Sequence, residues 1–212
     1  MLIDERIDIM SDRFFLCPIC GTVTILPKCI ACGYDIPCTN SVWCFCDALA
    51  VKLDGDDKYI GYDNIGLNFE PNAVFDGNTY AQYGVFNACG DLIAKLYGTN
   101  ITVLDVGAGL GTASIPLAKN GINVIATDIS AVMLKYAAER AAGRYHNLTF
   151  AQMNAYDLKI ADSSVDIVVE NAMLHLVDNP KKVLQEIQRV LKPSGLLIRY
   201  GSYNLPSPAR RS

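Results

Sequence analysis

Leu104-Asp105-Val106-Gly107-Ala108-Gly109-Leu110-Gly111-Thr112 decides the fold of this chain. The apolar run 101–106 reads as a buried strand, and 112–119 reads as the helix that follows it. Glycines between them let the backbone turn sharply and come close to a ligand. The helix N-terminus adds unspent N–H groups. A glycine-rich loop of this kind is also the start of a dinucleotide fingerprint, which needs G-x-G-x-x-G with a small third residue packing helix on strand. Here the third glycine, Gly111, arrives one position early and Thr112 stands in its place. Asp105 lies just before the turn. A carboxylate there suits a ligand with a cationic amino group and repels a pyrophosphate.

Downstream the alternation of strand and helix continues. Residues 123–127 form the second strand, and Ser130 caps a helix with Met133, Leu134, Ala137, Ala138 and Ala141 on one face. Strands follow at 148–152 and 165–169. Asn179-Pro180 then supplies an N-cap and a first-turn proline for a helix carrying Val183, Leu184, Ile187, Val190 and Leu191. Lys192-Pro193-Ser194-Gly195 ends that helix, and 196–200 is the fifth strand. Strands alternating with helices imply an α/β fold with a Rossmann-like parallel sheet. Asp128, at the end of the second strand, is placed to accept both hydroxyls of a ribose; an aspartate there also caps helices.

These residues together resemble the class I S-adenosylmethionine (SAM)-dependent methyltransferases, in particular the broad group called type 11. Asp105–Gly111 resembles their first motif, and Thr127-Asp128-Ile129-Ser130 resembles the acidic second-strand motif. The resemblance implies that Asp105 seats the amino end of SAM. It implies that Gly107, Ala108 and Gly109 allow the backbone close, that Asp128 holds the ribose, and that Ile129 and Met133 lie at the adenine. Asn154-Ala155 stands where the family commonly has Asp-Ala at the adenine amino group. Glu170-Asn171-Ala172-Met173-Leu174-His175 resembles the fourth-strand motif at the mouth of the site, with Asn171 as a cofactor contact. Tyr62-Asp63-Asn64-Ile65 resembles the segment that closes over the cofactor; Tyr80 or Tyr83 could serve as well. His175 reads as a packed histidine rather than a general base, since methyl transfer depends more on positioning. His146 reads as a surface turn residue, and no catalytic base is identified.

A second signal lies upstream. Of the 8 cysteines, all but Cys89 fall between Cys17 and Cys46. Cys17-Pro-Ile-Cys20-Gly21 and Cys29-Ile-Ala-Cys32-Gly33 make two C-x2-C pairs. Four thiolates at this spacing can close a tetrahedron around structural Zn²⁺; an iron centre or disulfides are the alternatives. The pattern resembles a zinc ribbon. Such a ribbon before a methyltransferase domain resembles ribosomal RNA methyltransferases of the guanine-N1 type, although their fourth ligand is commonly a histidine and Cys32 stands here. Cys38, Cys44 and Cys46 read as free, partly buried thiols, and Trp43 and Phe45 as anchors against the neighbouring domain.

Composition bounds the rest. In 212 residues, 51% are hydrophobic, 19% are charged and the net charge is −4. No basic stripe favours nucleic acid, so the methyl acceptor is expected to be a small molecule rather than RNA. No apolar stretch is long enough to span a membrane, and MLIDERIDIMSDR has no secretory core. Paired cysteines without such a signal imply a reducing, cytoplasmic setting. The expected organisation is a zinc-ribbon module at 1–50, a connecting helical segment at 51–96 and a SAM-binding methyltransferase domain at 97–212. The ribbon is expected to be separate from the loop motif, so that its loss unfolds residues near the N-terminus before it abolishes SAM binding. After the fifth strand, the short proline-bearing tail has no room for the two strands that usually complete this fold. The sheet is therefore expected to have five core strands, with the fifth as an edge covered by a second copy or a partner, or else to belong to a fragment with weak turnover. A nicotinamide oxidoreductase and a ribbon-bearing RNA- or protein-binding module that holds SAM without turnover remain the rival readings.

Overall fold

The computed structural model describes residues 14–46 and 77–200, with side chains of the first helix described from Gly84 onward. Nine strands and four helices are described: β1 (Phe15–Leu16), β2 (Val23–Thr24), β3 (Cys38–Thr39), β4 (Val42–Cys44), α1 (Gly77–Tyr97), β5 (Thr102–Val106), α2 (Ser114–Lys119), β6 (Asn123–Asp128), α3 (Ala131–Ala141), β7 (Leu148–Gln152), β8 (Val165–Asn171), α4 (Pro180–Val190) and β9 (Leu191–Tyr200). Seven of the strands form one sheet in the order β3-β4-β7-β6-β5-β8-β9. All neighbours in it are parallel except the β3–β4 hairpin.

Local sequence explains the boundaries. β5 is buried at every position, as a strand covered on both faces must be. The Ser130 side chain accepts from Met133 N at the start of α3, and Asn179 accepts from Lys182 N at the start of α4. Ala142 at φ 50 ends α3 in left-handed backbone. Lys192–Gly195 differs from its expectation as a turn between elements. Leu191 already pairs with Val165, and Leu196 pairs with Ile167, so the four residues form a bulge within β9.

The two faces of the sheet are covered differently. On one face, Val103, Val124, Ile167 and Val169 pack against Phe86 and Ile93 of α1 and Leu117 of α2, while Ala126 and Phe150 pack against Leu134 and Ala137 of α3. On the other, Leu104, Val106, Ile125, Ala151 and Val168 meet Val183, Ile187 and Val190 of α4. That face has a vacancy for a second helix, because the β7–β8 crossover, residues 153–164, contains none. Parallel strands usually take a helix there. The cysteine module fills the place. Phe15, Ile36 and Phe45 join the same cluster, and Phe15 stacks on Phe45 with ring centroids 5.0 Å apart.

Backbone bonds fasten the module to the crossover. Leu16 N donates to Lys159 O at 2.8 Å, and Ala161 N donates to Phe14 O. Arg189 of α4 clamps the same crossover by donating to the carbonyls of Leu158 and Ile160 and to Glu186. The five expected core strands are present as β5 to β9, but the sheet they form is extended to seven by β3 and β4 beside β7. The module therefore shares a sheet and a core with the α/β unit instead of standing apart from it. Trp43 and Phe45 do anchor it there. At the opposite end, β9 is the last strand among the described residues. No helix of the described residues is long and apolar enough to cross a membrane.

Candidate functional site

The glycine loop opens where β5 ends. Its backbone N–H groups are already engaged: Gly107 N and Ala108 N donate to Thr127 O at 2.8 and 2.9 Å, and Gly111 N donates to Ala108 O at 2.8 Å. Gly109 N donates to Asp128 Oδ2 at 2.8 Å. A phosphate cradle needs such groups unspent and aimed at the ligand. These four are turned onto protein acceptors and are not offered to a pyrophosphate.

What the loop does offer is a buried carboxylate. Asp105 is 0% exposed. Its Oδ2 accepts from the Ser114 hydroxyl, while its Oδ1 is buried with no hydrogen-bond partner. Burial pushes its carboxyl up to about 7; the Ser114 hydroxyl opposes the rise, and the charges of Asp128 and Glu170 add to it. Thr127 Oγ1 donates to the Asp105 carbonyl and ties β6 to β5 at the same level. An uncompensated buried acid is costly unless a cationic group completes it.

The other expected cofactor residues gather at the same ends of the strands. Asp128 closes β6, with Oδ2 accepting from Gly109 and Oδ1 from Ser130 N at 2.9 Å. One carboxylate thus pins the glycine loop to the start of α3, and a carboxylate at this strand end is an acceptor suited to hydroxyl donors. Ile129 follows, its carbonyl accepting from Gln152 Nε2. Met133 Cε lies 3.6 Å from where a Cβ on Gly109 would stand. Asn154 turns its Oδ1 back to accept from Tyr156 N at 2.9 Å, so it shapes the Asn154-Ala155 turn after β7. Asn171 ends β8, and its Oδ1 is buried with no partner.

Several residues of the site were not singled out from sequence. Glu170 is 0% exposed, and its Oε1 accepts from Met173 N and from Leu174 N at 2.8 Å. Its Oε2 accepts from Arg199 Nε at 3.1 Å. It therefore folds the turn after β8 back over the loop, where Met173 lies 2.5 Å from the Cβ position of Gly107. An acid ending an otherwise apolar strand was the available signal for Glu170. Ser114 and Gln152 carried none. His175 corrects its expectation: it is exposed in the turn, not packed. His146 is an exposed turn residue. Tyr62, Asp63, Asn64 and Ile65 lie outside the described residues, as do the side chains of Tyr80 and Tyr83.

The sulphur cluster is a second, separate arrangement. The Sγ atoms of Cys17, Cys20, Cys29 and Cys32 all lie within 4.8 Å of one another. The Cys17–Cys32 and Cys20–Cys29 separations are both 3.6 Å. Bonds of about 2.3 Å to a tetrahedral zinc place sulphurs roughly 3.8 Å apart, and a disulfide needs about 2 Å. All four are free thiols, which sets the disulfide alternative aside. The two halves repeat each other: Gly21 N donates to Cys17 O at 2.9 Å and Gly33 N to Cys29 O at 2.8 Å. Cys38 is exposed, and Cys44 and Cys46 are half-buried; none belongs to the cluster.

Comparison with known proteins agrees with this geometry. Residues 104–199 match the type 11 methyltransferase-domain family. A demethylmenaquinone methyltransferase of Clavibacter sepedonicus is 41% identical over 96 residues, 45% of this chain and 39% of that protein. The tRNA 5-carboxymethoxyuridine methyltransferase of Escherichia coli K12 is 34% identical over 143 residues, 64% of this chain and 54% of that protein. The chain thus spans about half or less of these relatives. A Methanococcus maripaludis protein described as an S-adenosyl-L-methionine-dependent methyltransferase shares the fold at TM-score 0.52 and 22% identity, over 66% of this chain and 63% of its own.

Proposed function

We propose that this chain, whose residues 104–199 match the type 11 methyltransferase-domain family, transfers the methyl group of SAM to a small-molecule acceptor. The observation that carries the reading is the buried Oδ1 of Asp105, which lacks a partner beside a loop whose Gly107, Ala108, Gly109 and Gly111 N–H groups are bonded within the protein. A ligand with an ammonium group, and not one with a pyrophosphate, meets that need.

The residues then divide the work. Asp105 receives the amino end, and Gly107, Ala108 and Gly109 let the chain approach. Asp128 accepts from the ribose hydroxyls, Ile129 and Met133 flank the adenine, and Asn154-Ala155 faces its edge. Asn171, at the end of β8, contacts the cofactor through its buried, unpaired Oδ1. Bound SAM would supply a sulphonium methyl whose carbon an acceptor nucleophile can attack in line, the C–S bond breaking as S-adenosylhomocysteine leaves. The protein orients the acceptor and excludes water. Cys17, Cys20, Cys29 and Cys32 hold one structural Zn²⁺. The net charge of −4 supports a small acceptor. A demethylmenaquinone methyltransferase among the relatives fits that choice, and the tRNA-modifying relative marks the competing one. The outer edge of β9 pairs with a second copy or a partner.

Calorimetry with SAM, S-adenosylhomocysteine and NADH tests the cofactor. Binding of the first two and not the third is expected, and binding of NADH alone overturns the reading. Labelled SAM incubated with cell extract, divided into a small-molecule filtrate and an RNA fraction, tests the acceptor. Label confined to RNA overturns the small-molecule assignment. Light scattering tests the β9 edge, where a clean monomer with sustained turnover counts against pairing.

A further inference from the structure

The sheet extension places the cysteine hairpin within hydrogen-bond reach of the cofactor turn. β4 runs parallel to β7 with Cys44 opposite Gln152, and β6 lies on the other side with Asp128 opposite Gln152. The backbone of Gln152 is bound to the hairpin, since Phe45 N donates to Gln152 O at 3.0 Å. Its neighbour binds the other way: Met153 N donates to Asp128 O at 3.0 Å.

The Gln152 side chain spans the same gap. It is 6% exposed. Nε2 donates to Ile129 O at 2.9 Å, and Oε1 lies 3.3 Å from the Cys44 sulphur, whose one S–H is shared between this oxygen and the Cys46 carbonyl at 3.0 Å. The orientation of the amide is dictated by chemistry: Ile129 O is an acceptor, so the NH₂ must face it and the oxygen must face the thiol. From Ile129 the line is short. Asp128 precedes it and accepts from Gly109 N and Ser130 N. Hairpin, amide, turn and glycine loop are therefore joined by consecutive hydrogen bonds in which Gln152 and Ser130 are buried and Cys44, Ile129, Asp128 and Gly109 half-buried, so each bond is partly shielded from water.

We propose that Gln152 is a positioning residue through which the cysteine hairpin sets the Asp128–Ser130 turn and so the affinity for the nucleoside end of the cofactor. This rests on the assignment of Asp128 to the ribose given above. Metal at the four thiolates holds the module against the crossover. Removing it loosens the hairpin, and the loss reaches the turn through Gln152. Ribbon loss would then weaken SAM binding together with N-terminal unfolding and not only after it.

The test combines calorimetry with S-adenosylhomocysteine, zinc content and amide hydrogen exchange at Ile129 and Ser130. Gln152→Leu is expected to weaken S-adenosylhomocysteine about three- to tenfold, the worth of a buried hydrogen bond lost with its partner. Exchange at Ile129 and Ser130 should quicken while zinc content holds. Cys44→Val should weaken binding about twofold, and Cys44→Ser, whose hydroxyl keeps a donor, should restore it. A merely structural role for Cys44 gives no such rescue. Chelation of the natural chain should quicken the same amides, and should add little further in Gln152→Leu, because both act on one path. Unchanged affinity and exchange in a folded Gln152→Leu overturn the proposal, as do fully additive effects of chelation and substitution. If Gln152→Leu fails to melt cooperatively, equal affinities for Cys44→Val and Cys44→Ser overturn it instead. Should the natural chain bind no S-adenosylhomocysteine, the functional reading fails, and the exchange measurements still decide whether the relay exists.

Discussion

The cysteine knuckle and the glycine loop are both shaped by glycines in left-handed backbone, yet they assemble their chemistry in opposite ways. The knuckle is local. Its four ligands come from a short stretch between Cys17 and Cys32, and the two halves repeat the same hydrogen bond. The loop is not local. The N–H groups of Gly107, Ala108 and Gly109 are spent on β6, its buried acid is held by Ser114 of α2, and its cover is folded over by Glu170 of β8. A local site can be removed by local changes. A distributed one fails by losing either its buried charge or the surface packed over it.

Replacing both Cys29 and Cys32 by serine breaks the comparison most severely. Hydroxyls hold zinc poorly at neutral pH, and structural zinc contributes on the order of 10 kcal/mol in small ribbons. Elemental analysis should show metal falling from about one per chain to about none. The thermal midpoint should drop by more than about 10 °C, since such a loss is worth several kcal/mol. Zinc that persists in this variant assigns the metal to other residues.

Phe45→Ala comes next and asks whether the two regions share one core. Phe45 is 2% exposed and stacks on Phe15 in the cluster that includes Leu104 and Val168. Removing a buried phenyl ring costs roughly 3–5 kcal/mol. Denaturant unfolding of the whole α/β unit should shift by that amount in a single transition. A separate early transition, with the main one unmoved, would show that the ribbon unfolds independently.

Such sharing is where the sequence was least legible. The strands from β5 to β9, their helices and the caps at Ser130 and Asn179 were all visible, because period and capping residues are written locally. The four thiols were visible for the same reason. The addition of β4 to β7 was not, because Val42–Cys44 is too short to carry a period and its partner lies far along the chain. Ser114 and Gln152 were invisible because each becomes functional only through a residue brought to it by folding. His175 was misjudged because an apolar neighbourhood in sequence does not settle which way a turn faces.

Asp105→Asn separates stability from function in the loop. In the folded chain the Asp105 carboxyl keeps its proton up to about 7, against an ordinary value of 3.8. The folded state therefore binds more protons than the unfolded one between these values, and stability falls as pH rises through that window. Above it the full cost is present, on the order of 4 kcal/mol. The asparagine variant should be more stable than the natural chain at pH 8 and little different below pH 4. Its affinity for SAM should fall about ten- to a hundredfold with the loss of a charged partner. In the natural chain that affinity should itself weaken as pH drops below about 7, because the carboxylate must be ionised to meet the ammonium. Denaturant melts across pH and calorimetry at two pH values check both arms. A variant less stable at pH 8 contradicts the buried, uncompensated acid.

The smallest effects compare the glycines themselves. Gly107 has φ 75, and a Cβ there would stand 2.5 Å from Met173 Cγ and 2.6 Å from its Cβ. Gly21 has φ 71, and a Cβ there would meet nothing within 4 Å. Alanine at either position carries the left-handed penalty of about 1–2 kcal/mol. Only at Gly107 does a steric term follow, because Met173 must move off the loop and the turn held by Glu170 must move with it. Gly107→Ala should therefore cost roughly 2–3 kcal/mol of stability and weaken S-adenosylhomocysteine as well. Gly21→Ala should cost about 1 kcal/mol and retain its zinc, since the backbone conformation is strained but no neighbour is displaced. Paired melts with zinc assays read both. Equal costs at the two sites would mean that Met173 yields freely, and the cover over the glycine loop would then be a loose flap instead of a wall fixed by Glu170.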